Sequence, residues 1–199
     1  AANHVDCIYG ILNGTCNYIL TRMENEGISF DAVLAEAQAL GYAEAEPSFD
    51  IDGLDTAHKA TILASLAFGQ WYGMDSLFVD GIRGLDLDDI RNAAEAGYKI
   101  KLLAIIKRQG DNVQMRVHPT LIPAARLIAN VEGAMNAVVV RGDAVGEALY
   151  YGKGAGSEPT ASAVIADLVD ITRLATADPE HHVPSLAFQL NAMADTPVL

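Results

Sequence analysis

Apolar and polar positions along the first part of the chain follow the periods of one strand and two helices. Residues 5–12 (VDCIYGIL) are apolar and rich in residues that favour strands. Asn13 then begins a polar turn that can cap a helix over about 15–26. A second helix is predicted over 29–41, because its apolar positions recur every three or four residues and Gly41 ends it.

An acidic loop follows these two helices. Residues 42–53 (YAEAEPSFDIDG) contain four acidic side chains and no basic one, and they lead into a helix that begins near Leu54. Residues 60–68 of that helix are almost uniformly apolar, so we expect the helix to be buried on most sides. Asp52 stands where its side chain could cap the helix.

Strands dominate the second half of the chain. Turn residues separate pairs of β-branched segments there, which is typical of antiparallel hairpins. We predict a helix over 87–96, hairpins formed by 98–107 with 113–117 and by 136–140 with 147–151, and a final helix over 157–174. This order of elements predicts an α+β fold with a mainly antiparallel or mixed sheet packed against helices. We expect one domain over 1–175 and a linker or C-terminal tail over 176–199.

The composition narrows the range of partners. Of 199 residues, 13 are Lys or Arg and 26 are Asp or Glu, which gives a formal net charge of −13, and 51% are hydrophobic. A chain this acidic repels phosphate groups, so we expect no nucleic acid and no membrane surface as a partner. The longest uncharged apolar stretch, residues 60–74, is also too short to cross a membrane. We therefore expect a small molecule or another protein as the partner.

Cysteine and histidine usage favours a cytoplasmic protein without a metal. Cys7 and Cys16 are too few for a disulfide framework. His181 and His182 lie in a polar stretch that fits a solvated loop better than a metal site, so we expect no metal ligands there. The chain begins with neither Met nor a signal-peptide pattern, and we interpret it as the middle part of a longer cytoplasmic protein.

Asp55 and Lys59 are the first candidates for chemistry. They are four residues apart, so they share one face of the predicted helix. Because that helix continues into an uncharged apolar segment, we expect the pair to be partly buried, where a charge must be paired or used. The helix dipole makes the Lys59 proton easier to give up, whereas the nearby carboxylates oppose this effect. A general acid, a pair that only fixes the helix, and a Schiff-base lysine are all compatible with this pattern.

Two other segments have the composition of binding sites. The carboxylates of residues 42–53 suit a substrate ammonium group, although they also fit a solvated loop. The glycine run 152–156 precedes a helix N-terminus, where unpaired N–H groups favour an anion such as a dinucleotide phosphate. Its pattern is G-x-G-x-G and not the full G-x-G-x-x-G fingerprint, so a tight structural turn explains the run equally well.

With these segments taken together, the chain resembles homoserine dehydrogenases. The resemblance rests on GILNGTCNYIL at 10–20, ALGYAEAEPSFDIDGLDTAHKATILA at 39–64, His118-Pro119, and NAVVVRGDAVGEALYYGKGAGSEPTASAVIADL at 136–168, in that order. It covers roughly residues 5–175. Members of that family reduce L-aspartate 4-semialdehyde to L-homoserine with NADPH or NADH, on the shared route to threonine, methionine and isoleucine.

The resemblance implies catalytic and substrate-binding roles for five residues. Lys59 would donate a proton to the aldehyde oxygen, and Asp55 would hold that lysine and the substrate hydroxyl in place. Glu44 would bind the ammonium group of the amino acid, with Asp50 as a lesser contributor. Thr15 would lie near the substrate or the nicotinamide.

The resemblance also implies a cofactor that this segment holds only in part. Gly41 and Gly156 would approach NADP or NAD with their backbones. We do not find the family's N-terminal dinucleotide-binding domain in the sequence, and we expect the helix over 157–174 to pack towards that domain. We therefore expect this segment to be inactive alone, and to form a homodimer. The alternative is a non-catalytic amino-acid-binding or assembly module with the same fold.

Overall fold

The structure, a computed structural model, describes residues 3–176, so the predicted tail from residue 177 onward lies outside the described residues. The helices are α1 (Gly14–Glu26), α2 (Phe30–Ala39), α3 (Ser48–Ile51), α4 (Leu54–Phe68), α5 (Leu87–Glu95) and α6 (Ser157–Thr176). The strands are β1 (Val5–Ile11), β2 (Phe78–Val79), β3 (Tyr98–Gln109), β4 (Asn112–Pro123), β5 (Met135–Gly142) and β6 (Gly146–Lys153). None of the helices within the described residues is long and apolar enough to cross a membrane.

The six strands form one sheet in the order β2-β4-β3-β1-β5-β6. Two antiparallel hairpins, β3–β4 and β5–β6, flank the apolar strand β1, which pairs antiparallel with β3 on one side and β5 on the other. Only the edge strand β2 is parallel to its neighbour, β4. The expected α+β fold with a mixed, mainly antiparallel sheet is therefore confirmed.

Each face of the sheet carries its own apolar core. On the helical face, Leu102, Ala104 and Ile106 of β3 pack with α1, α4 and their neighbours. Leu103 and Ile105 point to the opposite face, because successive side chains of a strand alternate. A short 3₁₀ turn, Leu127–Asn130, contributes side chains to this second core.

The structure corrects three sequence-based expectations near α4. The acidic loop contains a short helix, α3, which local propensity does not predict in a proline- and acid-rich stretch. Helix α4 is not buried on most sides, since Ile62 is 56% exposed and Leu66 is 45% exposed. Asp52 does not cap α4 either: Gly53 occupies the N-cap position with a left-handed backbone, and the Asp52 carboxylate pairs with Arg83.

Candidate active site

The site is built around the junction between β1 and α1. Asn13 follows the strand and is the N-cap of α1: its side-chain oxygen accepts a hydrogen bond from the Cys16 backbone N–H at 2.8 Å. Such a cap satisfies one of the unpaired N–H groups in the first turn of a helix. The predicted cap is therefore confirmed, and it fixes the Asn13 side chain at the point where the neighbouring elements converge.

Lys59 lies against this junction. Its Nζ donates hydrogen bonds to Asp55 Oδ2 at 2.7 Å and to the Leu12 backbone carbonyl at 3.0 Å. The expected Asp55–Lys59 pair thus forms within one turn of α4. The Asp55 side chain is only 20% exposed, but Lys59 is 48% exposed, so the lysine is more open to solvent than the sequence pattern predicted.

Asn13 joins this pair to a second carboxylate. Its Nδ2 donates to Asp55 Oδ2 at 2.9 Å and to Asp50 Oδ1 at 2.7 Å. Because Asp50 belongs to α3 and Asp55 to α4, one amide connects three elements. The structure thus brings Lys59, Asp55 and Asp50 together in one cluster.

The negative charges of this cluster affect the pKa of the neighbouring Cys16 thiol. Cys16 is completely buried, and its Sγ lies 3.2 Å from the Asp50 backbone carbonyl. Burial raises the pKa of the Cys16 thiol well above its usual value, and the charges of Asp50 and Asp55 raise it further. The thiol therefore stays protonated and can donate to that carbonyl, which fixes α3 against α1.

Glu44 follows a backbone segment that is held by hydrogen bonds to the end of α2 and to α1. The backbone after α2 closes in a Schellman motif, in which Tyr42 N donates to Ala37 O and Gly41 N donates to Gln38 O. Gly41 has a φ of +76°, which explains the glycine there. The Thr15 hydroxyl donates to the Tyr42 carbonyl at 2.7 Å.

The Glu44 carboxylate has no hydrogen-bond partner among residues 3–176. Gln38 Nε2 donates to the Glu44 backbone carbonyl at 3.0 Å, whereas the carboxylate is exposed. The backbone is thus held while the charge stays available. Glu44 does not join the Lys59 cluster by any direct bond in the described part of the chain.

The glycine run at the end of β6 lies beside the same strand end. A Cβ added at Gly154 would overlap the side chain of Asn136, whose Nδ2 donates to the Ile11 carbonyl at 3.0 Å. Ile11 immediately precedes Leu12, which accepts from Lys59. Gly156 has a φ of +122° and directly precedes α6, so its position requires a glycine-like backbone at a helix N-terminus.

Two buried polar residues, Asn13 and Lys101, have hydrogen-bond partners that the sequence pattern does not indicate. The sequence predicts Asn13 only as a cap, because nothing in a sequence indicates which distant carboxylates its amide will meet. Lys101 is fully buried, and its Nζ donates to the Val131 carbonyl at 2.7 Å and to Asn17 Oδ1 at 3.1 Å. A period-two reading of β3 could have found it, since Lys101 shares a strand face with Leu103 and Ile105.

Within residues 3–176, no group of three or more His, Cys, Asp or Glu side chains could hold a metal ion. His181 and His182 lie outside the described residues. An α+β domain that holds a paired lysine, two carboxylates and a glycine-rich turn at the end of one strand has the features of the substrate domain of a small-molecule enzyme.

Comparisons with known proteins identify the family. The family model for homoserine dehydrogenase matches residues 1–169. The chain is 56% identical over all 199 residues to a homoserine dehydrogenase of Pseudomonas aeruginosa, of which it covers 46%. The crystal structure of a homoserine dehydrogenase from Thiobacillus denitrificans is similar with a TM-score of 0.94 at 61% identity, over 100% of this chain and 46% of that one.

A more distant relative has a bound cofactor. A hyperthermophilic archaeal homoserine dehydrogenase in complex with NADPH is similar with a TM-score of 0.72 at 31% identity, over 86% of this chain and 48% of that one. The chain belongs to the homoserine dehydrogenase family, and it spans less than half the length of these relatives.

Proposed function

We propose that this chain is the catalytic and substrate-binding part of a homoserine dehydrogenase, an oxidoreductase that reduces L-aspartate 4-semialdehyde to L-homoserine with NADPH or NADH. The reaction would serve threonine, methionine and isoleucine biosynthesis in the cytoplasm. The observation that carries the proposal is the Lys59 ammonium group, held by Asp55 and the Leu12 carbonyl at the end of β1. Membership of the family supports it.

Lys59 acts as the general acid. Reduction of an aldehyde to an alcohol adds a hydride to the carbonyl carbon and a proton to the oxygen. An ammonium group beside that oxygen stabilises the developing negative charge and then transfers the proton. The Asp55 carboxylate orients Lys59, and the half-exposed position of the lysine allows water to return the proton.

The acidic segment binds the rest of the substrate. The substrate carries an ammonium group, and the exposed Glu44 carboxylate is free to pair with it while the backbone around it is fastened. Asp50 contributes a second negative charge from α3. Thr15, whose hydroxyl holds the Tyr42 carbonyl, lines the substrate from α1.

The space beside Gly41 and Gly156 suits a nicotinamide cofactor. A Cβ at Gly41 would meet nothing within 4 Å, and one at Gly156 would only touch Pro159, so open space adjoins both backbones. The N–H groups at the start of α6 suit a phosphate. When bound, NADPH or NADH would supply the hydride, and the backbones of Gly41 and Gly156 would hold the cofactor.

The partners are the substrate and a second copy of this protein. Several apolar side chains of the sheet and of α6 are exposed, which supports a homodimer and a further domain against α6. Sedimentation of the full-length protein should give twice the chain mass, and a monomeric mass would contradict the dimer.

Replacement of Lys59 tests the proposal. In the full-length protein, oxidation of L-homoserine is followed by the absorbance of the reduced cofactor, with NADP or NAD. We expect Lys59→Ala to lower kcat by about 10²- to 10⁴-fold, the usual range for a positioned acid or base. A loss below about tenfold would remove Lys59 from that role. A folded wild-type protein that is inactive with either cofactor would favour the amino-acid-binding module.

A further inference from the structure

The Asn13 side chain uses both of its N–H donors and its carbonyl oxygen in hydrogen bonds within the site. Its oxygen accepts from Cys16 N, and its two N–H groups go to two different carboxylates, Asp50 and Asp55. The residue is only 6% exposed, so these hydrogen bonds within the protein, and not bonds to water, satisfy the polar atoms of its amide. Asn13 therefore caps α1 and also bonds to the carboxylates of α3 and α4.

The helix cap sets the orientation of this amide. If the amide were turned over, its NH₂ group would face the Cys16 N–H, and its oxygen would face two carboxylates. Donor would then oppose donor and acceptor would oppose acceptor. Because the cap fixes the oxygen, both N–H groups must point to the carboxylates of α3 and α4.

The amide engages one oxygen of each carboxylate and leaves the other open. Asp55 Oδ2 accepts from Asn13 and Lys59, and Asp50 Oδ1 accepts from Asn13. In the described part of the chain, no side chain or backbone group donates to Asp55 Oδ1 or Asp50 Oδ2. A shared donor also reduces the repulsion between the two negative charges.

We propose that Asn13 is a positioning residue for the reaction: its amide holds Asp50 and Asp55 at a fixed separation and, through Asp55, fixes the Lys59 ammonium group. This inference rests on the proposed function. A small displacement of a catalytic group has a large effect on rate, so the amide acts on kcat through Lys59 without touching the substrate.

Asn13→Ser separates the two roles of the residue. Serine caps helices as well as asparagine does, but it cannot reach both carboxylates with two N–H donors. In the full-length protein we expect the variant to remain folded with a lower melting temperature, because two hydrogen bonds to carboxylates are lost, and kcat for L-homoserine oxidation to fall by about 10- to 100-fold. The matched control is Asp86→Ser, which places serine at the N-cap of α5, away from the site, and should leave kcat unchanged.

A second mutation shows whether Asn13 acts through the lysine. In a Lys59→Ala background, Asn13→Ser should change the residual kcat by less than about twofold, because residues that act as a unit are not additive. A merely structural role would lower activity by a similar factor in both backgrounds, and that result would overturn the inference.

Asn13→Asp provides a second, independent test in case the serine variant does not fold. The introduced carboxyl keeps the cap oxygen and the shape, but it faces Asp50 of α3, Asp55 and Lys59 of α4, and the Cys16 thiol of α1. Its neighbouring carboxylates favour its protonated form, which regains a donor at low pH. We expect kcat relative to the wild type to rise as the pH falls, and a constant ratio would contradict the inference.

The outcomes distinguish this inference from the proposed function. An active wild type with full activity of Asn13→Ser would overturn the role of Asn13 and leave the proposed function intact. A folded but inactive wild type would overturn both.

Discussion

Glu44 and Glu46 are two residues apart in the acidic segment, but their carboxylates are in different situations. The Glu46 carboxylate is bonded to Ser48: the Ser48 side chain, and the Ser48 backbone N–H that donates to it at 3.0 Å, both lower the pKa of Glu46. The Glu44 carboxylate has no such partner among the described residues. Of these two glutamates, only Glu44 therefore has a carboxylate without a partner among the described residues that can bind a ligand.

Glu44→Gln should accordingly raise the KM for L-homoserine. Loss of one charge-assisted hydrogen bond to the substrate ammonium group corresponds to a rise of about tenfold or more. We expect a much smaller change in kcat, because the ammonium group lies away from the reacting carbon. Steady-state kinetics of the full-length protein measure both constants.

Glu46→Gln is the matched control for this change. It removes the same charge from the same segment, but the Glu46 carboxylate is already bonded to Ser48 of the protein itself, so we expect KM to stay near that of the wild type. Equal KM values for both variants would show that only the net charge of the segment matters, and Glu44 would lose its assigned role.

At the scale of the elements, the sequence predicted those whose pattern is local. The helix cap at Asn13, the glycine stop at Gly41 and both hairpins depend on neighbouring residues, and the structure has all of them. Helix α3 and strand β2 were missed, because each is short and is held by contacts from distant parts of the chain. The candidate pair Asp55–Lys59 followed from helix spacing, whereas its link to Asp50 depends on the tertiary fold.

The sequence pattern correctly predicts helix α6, but its apolar side chains make no buried contacts in the described part of the chain. Its apolar side chains, Val164, Ile165, Leu168 and Ile171 among them, recur at helical spacing but are all exposed. Burial of such side chains is worth about 1.5–3 kcal/mol each, so a stripe of this kind is normally covered. We propose that the dinucleotide-binding domain of the full-length protein covers it.

Hydrogen exchange in the full-length protein tests this arrangement. We expect the backbone amides of α6 to be protected in the wild type and to exchange about tenfold faster or more in Ile165→Ser/Leu168→Ser. Asp167→Ser, on the same exposed helix but outside the apolar stripe, should leave the exchange rates unchanged. Rapid exchange already in the wild type would show that nothing covers α6.

For the molecule as a whole, a buried polar network connects the sheet with α1. The Lys101 ammonium group lies among the apolar side chains of one sheet face and bonds to Asn17 and to the Val131 carbonyl. Asn17 Nδ2 in turn donates to the carbonyls of Val131 and Gly133. The network therefore ties β3, α1 and the segment before β5 together, one helical turn from Asn13.

This network gives the folded protein a specific dependence on pH. Burial lowers the pKa of Lys101 to about 8 from 10.5, with Lys99 also lowering it and Glu24 and Glu132 opposing the shift. Between these two values, the unfolded chain binds more protons at this position than the folded chain does. The Lys101 contribution to the free energy of unfolding therefore rises as the pH increases from about 8 towards 10.5.

Lys101→Met should remove this contribution while keeping an unbranched side chain in the core. We expect the free energy of unfolding between pH 8 and pH 9.5 to increase more steeply in the wild type than in the variant, by about 1 kcal/mol per pH unit. Urea denaturation at several pH values measures both slopes, and the difference between them cancels the titration of all other groups. Parallel slopes would mean that Lys101 titrates alike in both states, so that its burial does not affect its proton.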